Sequence, residues 1–334
     1  MTRLLQFGLV NAVLLTMLAL VVALVDRRFK RPALSHLLWV LALAKLVTPP
    51  LITIGVGWPF PFSVSGNWGH KFPLLVGSAC AIWGMGTAIW FARQGWLVWR
   101  FRARFARAAP APEELQQRAA QLAGDLGLRR SPQLVLLPDV ISPMLSGVGP
   151  RTHLVFPAGL LERLEPGARD TLLAHELAHF SRGDHWVRGL ELLVTGLYWW
   201  HPVVWWARRR IEAAEEACCD AVVLARFSAP PRIYAEAILE AIDFLAGTAI
   251  PLPPTATALG QVPLLRQRLR QIMSGATPQG LSYRGRLAVV LLATALLPIH
   301  PVFSRPASRP RTANGPPTEN SRSLDSAAAR FRTG

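Results

Sequence analysis

Two histidines and a glutamate are spaced so that they could bind a metal ion and activate water. They are His175, Glu176 and His179, in the pattern His-Glu-x-x-His. Residues i and i+4 share one face of a helix, so both imidazoles could reach one ion while Glu176 acts as general base on a water. Catalytic zinc takes three protein ligands and keeps one position open, which predicts zinc-assisted hydrolysis. The alternative is an ordinary amphipathic helix with polar residues at helical spacing.

A third ligand must come from another segment, and one acidic cluster has suitable spacing. It comprises Glu212, Glu215, Glu216 and Asp220. On a helix, Glu216 could ligate the ion while Asp220, four residues later, orients a ligating histidine. The cluster could instead be an exposed charged face. Cys218 and Cys219 could also ligate zinc, although such cysteines are more often small buried residues.

The elements that must position these residues follow from apolar periodicity. A helix is predicted over residues 166–181, with proline in its first turn and Gly183 just past its end. Other helices are predicted over 113–128, 208–226 and 230–247, with strands at 133–137 and 152–156 and a loop at 142–151. Residues 187–207 are nearly apolar and contain four tryptophans, which is typical of a membrane–water interface. Pro202 should break or kink that segment.

Long uncharged runs predict a membrane protein. Residues 7–25 carry no charge and would span about 28 Å as a helix, close to the hydrocarbon thickness of about 30 Å. A second span is predicted over 33–57, kinked by Pro49-Pro50, and a third over 73–92. Residues 287–303 are a weaker fourth candidate, because the run is short and contains two prolines.

Lys45 lies near the middle of the predicted second span. A charge inside a membrane is costly and by default marks a functional site. The span could instead be shifted along the sequence, or Lys45 could pair with a carbonyl freed by Pro49-Pro50.

Composition and charge narrow the class of protein further. Apolar residues make up 51% of the 334 residues and charged residues 17%, which excludes a wholly disordered chain. Three cysteines exclude a disulfide scaffold. The net charge of +16 is concentrated after the first and third predicted spans, which by the positive-inside rule places the central region in the cytoplasm. The sequence lacks a basic face on a recognition helix, so direct nucleic-acid binding is not expected. It also contains no pattern that predicts an oligomeric state.

Several motifs together resemble the BlaR/MecR-type membrane zinc metallopeptidases. Residues 175–184, HELAHFSRGD, match H-E-x-x-H-x-x-R-x-D, and residues 216–220, EACCD, match E-x-x-C-D. Between them, residues 198–205, YWWHPVVW, look like the aromatic–His/Asn–Pro segment of that family. Ser142-Pro143 and residues 153–157 resemble its upstream strand region. The resemblance covers roughly residues 4–226.

The resemblance implies a mainly α, polytopic protein of the bacterial inner membrane with an α+β gluzincin-type domain facing the cytoplasm. His175, His179 and Glu216 would bind one Zn²⁺ per chain, and Glu176 would be the general base. Asp220 would orient a ligand, and Arg182 with Asp184 would support the loop after the active-site helix. In this family the protease often removes a winged-helix repressor, so the implied partners are a protein substrate and the lipid bilayer.

The predicted organisation is three transmembrane helices in residues 1–107, a zinc metallopeptidase domain in 108–285, a fourth transmembrane helix in 286–304 and a disordered tail in 305–334. Only 31 residues follow Phe303, too few to bury a core, and no S-x-x-K motif is present. A penicillin-binding sensor is therefore not expected. Two further expectations concern the reaction: His201 is a candidate transition-state stabiliser, and an extended substrate pairs with an edge strand at 152–156.

Three other functions are weaker alternatives to this interpretation. A quality-control or processing protease of the HtpX or CAAX type would share His-Glu-x-x-His and the downstream Glu and Asp, but the R-x-D extension and Cys219 favour the first interpretation. A non-catalytic metal-binding scaffold is disfavoured by Glu176, because a structural zinc site is four-coordinate by protein and needs no general base. A transporter is disfavoured because the spans are few and lack paired broken helices.

Overall fold

Helices form most of the chain. The computed structural model describes residues 2–49, 51–57, 73–147, 152–227, 230–246, 262–275 and 282–304. The helices are α1 (Thr2–Phe29), α2 (Pro32–Val47), α3 (Pro73–Phe105), α4 (Glu113–Asp125), α5 (Ala158–Arg163), α6 (Pro166–Arg182), α7 (Asp184–Leu197), α8 (Pro202–Arg226), α9 (Pro231–Leu245), α10 (Val262–Met273) and α11 (Tyr283–Leu296). The strands are β1 (Ile52–Gly57), β2 (Ala109–Pro110), β3 (Gln133–Leu137), β4 (Met144–Ser146), β5 (His153–Pro157) and β6 (Ile299–Ser304).

Among the residues that the structure describes, two helices are long and apolar enough to cross a membrane, α1 over Gly8–Phe29 and α3. The predicted second span is wrong beyond Val47, because α2 ends there and residues 52–57 form β1. Pro49 lacks an amide proton and disfavours helical conformation at Thr48, so the Pro-Pro pair ends the helix rather than kinking it. Lys45 consequently lies in the last turn of α2 and not in the middle of a span.

The predicted fourth span is also wrong in its second half. Helix α11 has 14 residues and stops at Leu296, and residues 299–304 form β6. Pro298 and Pro301 explain the change, since neither can continue a helix. At 1.5 Å per residue α11 is about 21 Å long, shorter than the hydrocarbon region. The described residues 53–57 and 301–304 belong to a second, smaller unit, and β1 pairs with β6. The predicted disordered tail lies outside the described residues.

A four-stranded sheet lies beside the central helices in the order β2-β3-β5-β4. Strand β5 runs parallel to β3 and antiparallel to β4, with Val155 opposite both Val135 and Met144. The predicted edge strand at 152–156 is therefore wrong, because β5 is covered on both sides. The edge strand next to β5 is β4, which lies in the segment predicted to be a loop and has too few residues to show alternation.

Two apolar clusters surround the central helices. One joins the sheet to α4, α6 and α9 and includes Phe156, Leu173 and Ile238. The other joins α1, α2, α7 and α8 and includes Leu15, Trp39, Leu43, Val194 and Ile211. Helix α8 contributes to both clusters, with Ile211 in one and Val223 in the other. The acidic cluster of α8 thus lies where the two meet.

Candidate metal centre

Helix α6 presents His175 and His179 on one buried face. Pro166 stands in its first turn, and Gly183 ends it with a left-handed φ of 75°, which glycine adopts without strain. The two imidazole rings are nearly perpendicular, at 85°, with their centroids 4.9 Å apart. The predicted helix and its C-terminal glycine are both confirmed.

Helix α8 brings Glu216 against both imidazoles. Its Oε2 lies 3.3 Å from His175 Nε2, and its Oε1 lies 3.5 Å from His179 Nε2. All three residues are buried, and one ligand atom from each lies within 4.8 Å of the others. His179 Nε2 makes no hydrogen bond to any residue in the described part of the chain. Two imidazole nitrogens and one carboxylate are a donor set that suits zinc with one open position, so the residues fit this metal.

Each histidine has a polar partner on the side away from Glu216, a carboxylate for His179 and a hydroxyl for His175. His179 Nδ1 lies 2.8 Å from Asp184 Oδ2, which also accepts a hydrogen bond of 3.2 Å from Arg182 Nε. His175 Nδ1 lies 2.7 Å from the Tyr234 hydroxyl, which is 2.6 Å from Asp220 Oδ1. These contacts leave the Nε2 atoms of both rings facing Glu216, as metal-binding histidines require.

A buried arginine joins the two acidic residues of α8. Arg268 of α10 donates to both oxygens of Asp220, at 3.0 and 2.8 Å, and its Nη1 lies 2.6 Å from Glu216 Oε2. Burial would raise the pKa of Asp220, but Arg268 and His175 lower the pKa to about 2. The same balance, with Arg268 opposing burial, holds the pKa of Glu216 well below its ordinary range. Both carboxylates are thus kept ionised.

Glu176 follows His175 directly and is also buried, with 6% of its surface exposed. Burial raises the pKa of its carboxyl group, while the neighbouring histidines oppose that change. A carboxylate of increased basicity beside a metal-binding face is suited to accept a proton from water. This combination is what the His-Glu-x-x-His pattern predicts.

Sequence reasoning missed two members of the cluster, Tyr234 and Arg268. Tyr234 shares the buried face of α9 with Ile238, and Arg268 lies between Leu265, Leu269 and Ile272 on the apolar stripe of α10. A polar residue at a position where the helical period requires an apolar one is the signal that could have found them.

Three other predicted candidates lie apart from this cluster. His201 directly precedes α8 and contacts Thr16 and Trp200. Glu216 is fifteen residues further along the chain, or about 22 Å along the helix. His201 is therefore too distant to stabilise a transition state there. Lys45 Nζ instead donates to the Leu297 and Ile299 carbonyls, at 2.6 and 2.7 Å. Cys219 lies on the Asp184 side of His179, 4.0 Å from Oδ2, and not on the side that faces Glu216.

A second polar network connects the metal centre to α2. His36 of α2 lies 3.3 Å from Glu215 Oε1 and 4.0 Å from Asp184 Oδ1. Glu215 is also paired with Arg188, which donates to Glu191 at 2.8 Å. Asp184 therefore contacts a candidate metal ligand on one side and faces a residue of α2 on the other.

Comparison with known proteins supports the resemblance drawn from the motifs. The family model described as BlaR1 peptidase M56 matches residues 76–272, more than half of the chain. The matched region contains α6, α8, α9 and Arg268 of α10. No curated protein matches the chain.

Proposed function

Since the chain belongs to the BlaR1 peptidase M56 family, a family of membrane-associated metallopeptidases, we propose that it is a zinc-dependent endopeptidase that cleaves a cytoplasmic regulator. The observation that carries the proposal is the convergence of His175, His179 and Glu216 beside Glu176. A purely structural zinc site would use a fourth protein ligand in place of a general base.

His175, His179 and Glu216 would hold the ion. When bound, Zn²⁺ would polarise the scissile carbonyl and lower the pKa of a water molecule toward about 7. Glu176 accepts the proton of the attacking water and then donates it to the leaving amine. Tyr234 and Asp184 hold the two imidazoles so that their Nε2 atoms stay directed at the metal.

The outer edge of β4 is a suitable place for an extended substrate. Strand β4 pairs with β5 on one side only and packs against α6, which carries His175 and Glu176. An extended peptide added to this edge would gain backbone hydrogen bonds, and side-chain pockets would set the register of cleavage. This requirement favours a segment that is extended or locally unfolded, such as a linker.

A regulator as substrate follows from the family and from the membrane arrangement. The basic ends of α1 and α3 favour a cytoplasmic position for the central helices. A protease held at that surface meets soluble cytoplasmic proteins. A winged-helix repressor is the substrate that the family resemblance suggests.

The test compares new protein N-termini in cells that carry the wild-type chain, Glu176→Gln or Glu162→Gln. Glu162 is an exposed glutamate of α5, so its variant controls for the amide substitution alone. We expect a set of fragments that disappears with Glu176→Gln and persists with Glu162→Gln. Purified wild-type protein should cleave the same site, lose activity with a zinc chelator and regain it with zinc.

The outcomes separate the alternatives. A transcriptional repressor among the lost fragments supports the proposal. Fragments drawn only from misfolded membrane proteins would assign the chain to quality control. Equal cleavage of the identified site by wild-type and Glu176→Gln protein would contradict the catalytic role.

A further inference from the structure

A cleft of about 360 Å³ opens where the turn between α1 and α2 meets α8 and α10. Lys30, Arg31 and Arg210 supply three positive charges to its lining, and Gln267 and Gln271 supply amide donors. Alanines of α8 form its wall, so the space is not filled by large side chains. Its size is within the range of small-ligand sites, about 300–1,000 Å³.

Asp26, the acidic residue that lines this cleft, already has hydrogen-bond partners. Asp26 Oδ2 accepts hydrogen bonds from Ser35, Trp39 and Arg210, at 3.0, 2.8 and 3.0 Å, and the carboxylate side chain is 6% exposed. Lys30 and Arg31 are exposed and form no ion pair with any residue that the structure describes. The cleft therefore has a surplus of positive charge, and Asp26 fixes the Arg210 guanidinium at its wall.

The turn that carries the two free cations is tightly built. Lys30 has a left-handed φ of 46°, which is uncommon for a residue with a side chain. Its amide donates to the Asp26 carbonyl at 3.1 Å, and the Arg31 carbonyl accepts from the amides of Leu34 and Ser35. This turn presents two consecutive cations to the same cleft without a flexible linker.

We infer that the cleft binds the phosphate group of an anionic phospholipid. It lies at the basic end of α1, one of the two helices apolar enough to span a membrane. Basic pockets beside membrane helices attract anionic head groups. Leu20, Val21 and Leu24, in the turns just before the cleft, are all more than half exposed and offer an apolar surface for acyl chains. A free phosphate ion would gain nothing from that surface.

A lipid in this cleft would contact the two helices that carry Glu216 and Arg268, at residues next to them in sequence. Ala217 of the cleft wall follows Glu216, and Gln267 precedes Arg268. The head group would thus join the α1–α2 turn to α8 and α10, the two helices that supply Glu216 and its partner arginine. Lipid binding in this cleft does not depend on proteolysis, so the lipid proposal can be tested separately from the proposed protease activity.

The test measures lipid retention by the full-length protein, purified in detergent and examined by native mass spectrometry at about 0.15 M salt. Dioleoylphosphatidylglycerol is compared with dioleoylphosphatidylcholine and with inorganic phosphate as competitor. The variants are Lys30→Gln with Arg31→Gln, the cleft-filling Ala213→Leu, and a control pair, Arg27→Gln with Arg28→Gln. The control pair removes two charges from the same basic end, but neither residue lines the cleft.

We expect the Lys30/Arg31 pair to weaken phosphatidylglycerol binding about thirtyfold, since each basic residue near an anionic head group contributes about fivefold. Ala213→Leu should weaken it without any change of charge, and the Arg27/Arg28 pair should change it less than threefold. Equal losses with both pairs would mean general attraction to basic residues and overturn the site. Equal retention of phosphatidylcholine, or full displacement by millimolar phosphate, would overturn the lipid assignment.

Discussion

The Tyr234 hydroxyl has one proton, and its two short contacts determine which acceptor receives it. Arg268 keeps Asp220 ionised, so Asp220 can only accept, and Tyr234 must donate to it. His175 Nδ1 must then donate its own proton to the Tyr234 oxygen. The lone pair of His175 is consequently on Nε2, the atom that faces Glu216. A hydroxyl between a carboxylate and an imidazole thus selects the metal-binding tautomer.

Replacing this hydroxyl should weaken metal binding without unfolding the chain. Tyr234→Phe keeps the buried ring but removes the hydroxyl 2.7 Å from His175 Nδ1 and leaves the more distant Asp220 Oδ1, at 3.4 Å, so we expect zinc affinity to fall about 10- to 100-fold. Competition with a chelating dye measures the change. Tyr283→Phe is the matched control, because Tyr283 is 79% exposed. Unchanged affinity in the Tyr234→Phe protein would show that the tautomer is fixed by another group.

The sequence predicts the parts of this cluster that depend on local spacing. His175 and His179 share a helical face, as do Glu216 and Asp220, and the structure places all four together. The contact between Arg268 and Asp220 could not be predicted, because the two residues are 48 positions apart and only the packing of α10 on α8 brings them together. Long-range pairs of this kind depend on helix packing, which no local pattern encodes.

At the scale of elements, the end of α7 and the loop that follows it, residues 196–201, lie against the middle of the apolar part of α3. We call this segment the tip. The Trp83 indole donates to the Leu197 carbonyl at 2.7 Å, and the Thr87 hydroxyl donates to the Gly196 carbonyl at 3.1 Å. The next two carbonyls, of Tyr198 and Trp199, accept from the His201 amide and the Trp205 indole. Carbonyls at and beyond the end of a helix lack partners within it, and side chains and backbone of the protein supply those partners here.

Close packing at this tip predicts different effects for two neighbouring glycines of α3. A methyl group added at Gly86 would overlap the Trp199 ring, whereas one added at Gly84 would meet no atom within 4 Å. Gly86→Ala should therefore destabilise the protein by about 1–3 kcal/mol through overpacking. Gly84→Ala should be neutral or stabilise it by up to about 1 kcal/mol, since alanine favours helix. Thermal unfolding in detergent measures both, and equal effects would argue against close contact between α3 and this tip.

Whole elements can be predicted only where their patterns are long enough. The 17 residues of α6 and the break at Pro202 agree with the sequence prediction, because helical periodicity and proline act locally. Strand β4 has three residues, too few for an alternating pattern, so the sequence predicts a loop there. The predicted spans over 33–57 and 287–303 are too long, because hydropathy continues through prolines that end the helices.

At the scale of the whole molecule, α8 and His36 link the apolar helices to the metal centre. Helix α8 packs on α2 near its start and on α6 near the metal cluster. Asp184 lies 2.8 Å from His179 Nδ1 and 4.0 Å from His36 of α2. A change in the position of α2 would therefore reach the imidazole through a single carboxylate.

Lys45 links the end of α2 to the residues that follow α11, more than 250 positions away in sequence. Its ammonium group donates to the carbonyls of Leu297 and Ile299, which follow the last turn of α11. Carbonyls at the end of a helix lack partners within it, and a cation placed there also favours the helix dipole. The cost of burying this charge is thus offset by two hydrogen bonds, which gives Lys45 a structural role.

Removing the Lys45 charge should increase local unfolding of α11 without affecting the metal centre. Lys45→Met keeps the length of the side chain but leaves both carbonyls without their donor, and each hydrogen bond from a charged group contributes about 1.5–3 kcal/mol. We expect amide hydrogens of residues 283–297 to exchange at least tenfold faster in Lys45→Met, measured by mass spectrometry in detergent. Lys30→Met, a change at an exposed lysine, should leave that exchange unchanged. Zinc affinity should be the same in both variants, because neither lysine contacts the cluster; a loss of zinc with Lys45→Met alone would instead mean that the end of α2 supports the metal centre directly.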